Sequence, residues 1–267
     1  EDASQKAGGV FLDNTIYPRA LVNIAGLEKS GKTDFSLRHT PDPIGVLEFS
    51  TETRVVAQKL IEEYGKSITC YPMREDIPYE KAAVTQLRVM SQTDAKKVLD
   101  RFIQRYFWCI NRYRTVAVDS GSSIYDITRL ALFGQLSKVP GFMYGEINQL
   151  WDSFFEAAKA PSNKISNVIW THKLKDEWLD AKKTGWLKED SWSDMNFAVE
   201  ANLYVSRDYR SNPVGPFKLR IGANRFNAAA AGTELVGDDI SFVEVMSRLT
   251  PSLNPLVWML RDLNEAE

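Results

Sequence analysis

Short apolar runs alternate with amphipathic stretches through the first two thirds of this chain, and the alternation predicts its elements. Residues 20–25 form an apolar run that breaks into Gly26. A helix is expected over residues 32–39, ended by the segment from His39 to Pro43, where each proline biases its predecessor away from helix. Residues 44–49 read as a second buried strand. Val55, Val56, Leu60 and Ile61 then mark a helical face over residues 53–64, with Gly65 as its C-cap. Residues 67–71 read as a short third strand, and residues 72–92 are polar without pattern.

The clearest helix covers residues 94–111. Val98, Leu99, Phe102, Ile103, Phe107 and Ile110 lie on one side, and Lys96, Lys97, Arg101 and Arg105 on the other. That basic face extends toward Arg112 and Arg114. A buried strand follows at residues 114–118, then helical patterns at 123–134 and 146–159 around a loop with Pro140, Gly141 and Gly145, then a strand at 166–170. Residues 171–194 are charged and aromatic with little periodicity. Alternation at residues 197–205 and 217–221 predicts two late strands joined by a turn at Asn212 to Gly215, and residues 240–249 predict a closing helix. Strand–helix alternation with a strand-rich end is the pattern of an α/β domain with a mostly parallel sheet and an antiparallel edge.

Composition sets broad limits. The chain has 267 residues, 44% apolar and 25% charged, which is globular usage and excludes a disordered or fibrous chain. Lys and Arg number 33 against 35 Asp and Glu, a net charge of −2, so the chain is not a basic protein coated for nucleic acid. Cys70 and Cys109 make no disulfide framework and read as buried thiols in a reducing compartment. No apolar run is long enough to span a membrane, and the opening residues hold no signal core, so the expectation is a cytoplasmic protein. The chain opens without Met, as a trimmed chain does. Residues 1–17 are expected as an arm and 18–267 as one domain.

Gly26-Leu27-Glu28-Lys29-Ser30-Gly31-Lys32-Thr33 fits G-x-x-x-x-G-K-[ST] between an apolar run and a helical pattern. Glycines allow the backbone to aim N–H groups at phosphate oxygens, a helix N-terminus adds partial positive charge, Lys32 reaches the β and γ phosphates, and the Thr33 hydroxyl suits Mg²⁺. These residues, with Asp34, are the candidate nucleotide contacts. Lys29 reads equally as a phosphate contact or a solvated side chain. Asp119, at the end of the strand Thr115 to Val118, is the candidate second metal ligand. Glu52 and Glu48 are the candidates for polarising an attacking water. Thr171 and His172 end the last parallel strand, where either can sense a γ-phosphate. His39 reads as structural, and nothing in the spacing of the two histidines and two cysteines suggests zinc.

In motif order the chain resembles the RecA-like branch of P-loop ATPases, and within it the short single-domain ATPases of bacteriophages, some associated with single-strand annealing and recombination. The resemblance covers residues 18–227. It implies a three-layer core around a mostly parallel sheet, use of ATP and Mg²⁺, a homo-oligomer, single-stranded DNA and a recombination or replication protein as partners, no membrane, and the cytoplasm of a bacterial host. In such relatives the polar motif matched by Trp170-Thr171-His172 couples nucleotide state to a DNA-binding loop. Gly222-Ala223-Asn224-Arg225-Phe226 resembles a late motif whose arginine reaches a neighbour's γ-phosphate. Ala223 stands where relatives often carry Lys, and Asn227 where they carry Gly.

The loop that would face DNA, from Thr171 to Asp194, carries Trp178, Trp186 and Trp192 and five lysines, but also six acids. Aromatics suit stacking on unpaired bases and lysines suit phosphates, while the charge sum suits a packed insertion equally. A nucleotide-controlled assembly protein and another DNA motor are therefore the alternative readings.

Overall fold

The computed structural model describes residues 19–75, 90–136, 140–160, 162, 166–179, 182–208 and 214–258. The arm expected at residues 1–17 lies outside them, as do most of residues 72–92 and part of the turn expected at Asn212.

Six strands run parallel: β1 (Leu21–Gly26), β2 (Ile44–Glu48), β3 (Ile68–Pro72), β4 (Thr115–Asp119), β5 (Asn167–Leu179) and β7 (Ala201–Ser206). β6 (Lys182–Glu189) pairs antiparallel with the outer part of β5. β8 (Lys218–Asn224) and β9 (Glu234–Val236) close the other edge antiparallel. Among the described residues the order is β3-β2-β4-β5-β1-β7-β8-β9. β5 thus lies between β1 and β4, the two strands that carry the phosphate-loop motif and Asp119.

Both faces of the sheet are covered, which is why the central strands read as unbroken apolar runs. On one face α3 (Gln92–Cys109), α4 (Gly121–Phe133) and α5 (Tyr144–Lys159) pack on Leu21, Leu47, Val116, Val118, Val168 and Trp170. Trp170 sits among aromatic rings, 5.3 Å from Trp151 and 5.4 Å from Phe155. On the other face α1 (Lys32–Arg38), α2 (Thr51–Tyr64) and α7 (Phe242–Leu249) cover Val22, Ile24, Val46, Ala117 and Ile169. The result is a three-layer α/β fold with a mostly parallel central sheet, as expected.

Several local expectations shift. α2 buries Thr53, Ala57 and Leu60 and leaves Val55 exposed, so its inner face is rotated from the apolar stripe. Ser50 caps its start and Gly65, at φ +64°, ends it. In α3 Tyr106 is buried and Phe107 is not. Its basic stripe is only partly exposed: Lys96 and Lys97 face solvent, while Arg101 donates to the Met73 carbonyl at 3.0 Å, Arg105 and Arg112 lie over the Trp108 ring, and Arg114 is buried. The first turn of the strand expected at 197–205 is instead a short helix, α6 (Met195–Ala198). The largest change is at residues 171–194. β5 runs on past the sheet and folds back through β6, making a hairpin where a loop was expected. The hairpin escapes periodicity because most of β6 is exposed on both faces.

Candidate active site

The C-terminal ends of β1 and β4 meet beside Thr171 to Lys173 of β5, and the carboxyl ends of parallel strands are where ligands gather. β1 ends at Gly26, where a Cβ would stand 2.4 Å from Ser30 Oγ and 2.5 Å from the Val205 carbonyl oxygen. Only glycine fits there. The chain then turns with Lys29 at φ +59° and Gly31 at φ +95°, and α1 starts at Lys32. Leu27, Glu28 and Lys29 are exposed and Ser30 is buried. Glu28 lies 3.8 Å from Lys173, and Asp34 pairs with Arg38 at 2.8 Å along the helix.

Lys32 folds back over the loop. Its Nζ donates to the carbonyls of Gly26 (2.9 Å) and Leu27 (2.6 Å). Burial lowers its pKa to about 8, against a pull upward from Asp119 and a further push downward from Lys173.

Asp119 is buried and accepts from three hydroxyls. Thr33 Oγ1 donates to Oδ2 at 2.8 Å, Thr53 Oγ1 to the same oxygen at 2.7 Å, and Thr171 Oγ1 to Oδ1 at 2.5 Å. The motif threonine and the strand-ending acid are therefore in direct contact. Thr53 was not among the expected site residues; its only local signal is a polar residue at a buried helix position.

Glu48 stands opposite Asp119 in the β2–β4 register. It is buried, with Oε1 taken by Arg54, whose Nε donates at 3.0 Å, and with Oε2 lacking a protein hydrogen-bond partner. Glu52 is exposed on the first turn of α2, beside Thr53.

Thr171 and His172 point to opposite faces. Thr171 reaches Asp119, whereas His172 is fully buried on the other side with Nδ1 2.8 Å from Asn23 Oδ1. Asn23 donates from Nδ2 to Glu189 Oε2 (2.9 Å) and Asn202 Oδ1 (3.0 Å), so its oxygen faces the histidine and His172 Nδ1 carries the proton. Burial, with Lys32 nearby, lowers the His172 pKa to about 3, so the ring is neutral. Burial raises the Glu189 pKa against the hydrogen bonds it accepts. A polar chain thus ties β1 to the hairpin and to β7. Its one sequence signal is Asn23 inside an apolar run.

Of the three hairpin-region tryptophans, Trp192 belongs to the core, stacked at 5.5 Å on Phe155 with its Nε1 donating to Asn148 Oδ1 at 2.8 Å. Trp186 is 74% exposed. The Trp178 side chain lies outside the described residues. Arg225 is exposed just beyond β8, at the N-terminal edge of the parallel strands, where it donates to the Phe197 carbonyl. The register places it level with the start of β1, roughly 16 Å of strand from Gly26, at about 3.3 Å per residue. It takes no part in this chain's own site. His39 closes α1 with its N–H on the Phe35 carbonyl, a structural placement. Cys70 and Cys109 are free thiols, pushed by burial to about 11 and about 12.

Chemically, the loop can surround a phosphate chain with N–H groups, and Lys32 can turn from its carbonyls to phosphate oxygens. Among the described residues no group of three or more His, Cys, Asp or Glu is placed to hold a metal ion. Thr33 and Asp119 fit Mg²⁺ as it is usually held, by one or two protein oxygens completed by phosphate and water. Among the described residues no helix is long and apolar enough to cross a membrane.

No protein-family model matches the chain, and no curated protein matches it. Among solved structures it is similar to the flagellar accessory protein FlaH from Methanocaldococcus jannaschii, at 13% identity, 81% of this chain, 84% of that chain and a TM-score of 0.43. It is also similar to an ATPase from the type III secretion system of pathogenic bacteria, at 11% identity over 70% of this chain and 52% of that one, with a TM-score of 0.40.

Proposed function

We propose that this chain binds ATP with Mg²⁺ on the Gly26–Thr33 loop and hydrolyses it, and that turnover is coupled to single-stranded DNA during annealing or recombination in a phage-like system. The observation that carries the reading is the contact between Thr33 and Asp119 at 2.8 Å, beside a glycine loop that a Cβ would obstruct. Mg²⁺, when bound, would neutralise charge on the phosphates. Lys32 would exchange its two loop carbonyls for phosphate oxygens. Thr33 and Asp119 would hold the ion, and Thr53 and Thr171 keep the carboxylate oriented. Of the two candidate bases, Glu52 is exposed to water, so it is assigned the water-orienting role; Glu48 is buried with one oxygen held by Arg54.

ATP turnover measured with and without single-stranded DNA, alongside Lys32→Ala, tests this reading. Hydrolysis lost in Lys32→Ala and raised by DNA is expected. Turnover indifferent to DNA removes the recombination half, and turnover that survives Lys32→Ala removes the site.

A second reading is favoured by one placement. Arg225 is exposed at the edge opposite its own loop, so a neighbouring copy can receive it, as in a nucleotide-controlled homo-oligomer. Light scattering with and without ATP reads this directly, and an unchanged mass argues against it.

A further inference from the structure

Side chains on β7 and β8 divide cleanly between two faces. Leu203, Val205, Leu219 and Ile221 enter the core shared with α1 and α7. Tyr204, Lys218 and Arg220 face the other way, toward the hairpin rather than toward a helix. Between hairpin and sheet is a cleft of about 430 Å³, lined by Leu174 and Trp186 on one side and by Tyr204, Lys218, Arg220 and Glu234 on the other. That volume is in the range of small-ligand sites, about 300–1,000 Å³.

The lining has a definite chemistry. Trp186 presents an indole that is 74% exposed, with Leu187 beside it 47% exposed, so the hairpin offers an apolar surface at the cleft. The Arg220 guanidinium lies 5.0 Å from the centre of the Tyr204 ring. Lys218 is 3.9 Å from Glu234 on the neighbouring strand. Flat aromatic surfaces beside two cations suit a ligand with a flat apolar body and an anionic edge. Lys218 and Arg220 are two residues apart on one face of β8, roughly 7 Å along the strand, a reach comparable to that between neighbouring phosphates of an extended polynucleotide. Lys183 pairs with Asp176, Lys175 pairs with Asp190, and Glu189 is turned inward onto Asn23. Each of these ion pairs takes up a lysine with its acid and leaves the hairpin's charge sum unchanged, so the cations facing the cleft are Lys218 and Arg220 of β8.

We propose that this cleft holds an unpaired nucleotide of a single-stranded nucleic acid, with its base against Trp186 and Tyr204 and its phosphates on Arg220 and Lys218. The proposal rests on the DNA-coupled reading above and names where the strand sits. It puts the strand on the face of the sheet opposite α1, and because Val205 in the cleft's lining stands beside Gly26 in the β1–β7 register, the cleft adjoins the start of the phosphate loop. It also moves the binding surface from the hairpin alone to the hairpin together with the late antiparallel strands.

Fluorescence anisotropy of a labelled oligo-dT with the full chain tests it, using Trp186→Ala, Trp186→Phe and Arg220→Ala, each checked by thermal melting. Trp186→Ala is expected to weaken binding about tenfold, with Trp186→Phe restoring most of it. Arg220→Ala is expected to weaken binding and to flatten its salt dependence. If the wild type binds and all three variants bind equally well, the cleft is overturned while the DNA-coupled reading stands. If the wild type binds no oligonucleotide, the cleft and the DNA half fall together, and ATP turnover with its Lys32→Ala control still reports on the phosphate loop. Displacement of the oligonucleotide by AMP, with the same dependence on Trp186, assigns the cleft to free nucleotide and overturns the strand.

Discussion

Thr33 donates to Asp119 Oδ2 across 86 residues of sequence, and Thr53 and Thr171 complete a set of three hydroxyls on the same carboxylate. The set makes Asp119 a structural centre as well as a candidate metal ligand. Asp119→Asn turns an amide donor toward hydroxyls that are themselves donating. Hydrogen bonds to charged groups are worth about 1.5–3 kcal/mol each, and a loss of at least that size is expected in urea unfolding, together with loss of Mg²⁺-dependent turnover. Thr171→Val removes one donor and is expected to cost less. Unfolding curves that coincide for wild type and Asp119→Asn would show that the hydroxyls do not depend on the carboxylate.

Nucleotide affinity should depend on pH through Lys32. In the free protein burial places its pKa at about 8. A phosphate chain against it favours the charged form and raises that value. Binding therefore takes up a proton above pH 8, and affinity falls by up to about tenfold per pH unit from there until the bound-state pKa is reached. Titration calorimetry at pH 9 in two buffers of different ionisation enthalpy reads the proton, and equal heats in both would refute the linkage.

His172 gives stability a slope in the opposite direction. Its folded pKa is lowered to about 3 from 6.5, so the unfolded chain takes up a proton that the folded chain refuses. The stabilisation is complete above pH 6.5 and is lost as pH falls from there toward 3, at up to about 1.4 kcal/mol per pH unit. His172→Gln is expected to be less stable at neutral pH and to have a shallower acid slope between pH 6 and 4.5. Parallel pH–stability curves for the two proteins would exclude His172 as the source.

The tryptophans of the hairpin region should separate by measurement. Trp192 is packed on Phe155 and Trp151, and Trp192→Ala is expected to cost about 3–5 kcal/mol. Trp186→Ala, at an exposed position, is expected to stay within about 0.5 kcal/mol of wild type. Similar losses at both positions would mean that Trp186 is also packed.

Much of this architecture is legible from local pattern. β1, β2 and β4 are buried on both faces and leave apolar runs, and the phosphate-loop motif is contiguous, so its residues arrive at one place whatever the rest of the chain does. What stayed hidden depends on distant contacts. Thr53 and Thr171 reach Asp119 only after α2 and β5 are docked. The hairpin lacks a buried face to give it a period. Asn23 was visible, as a polar residue in a buried strand, but its partners Glu189 and Asn202 lie far along the chain. α2 misled because its inward positions include Thr53, placed there by a hydrogen bond rather than by hydrophobicity.

The folded-back Lys32 has a consequence for which anions can enter. Its ammonium already has two carbonyl acceptors within its own loop, so any newcomer competes with bonds that are in place. A lone phosphate, offering few oxygens and one anchoring point, replaces them at little net gain. A polyphosphate brings oxygens to the lysine and to the loop N–H groups at once. The loop is therefore expected to discriminate by ligand length, with inorganic phosphate a weaker competitor for it than a chain of phosphates.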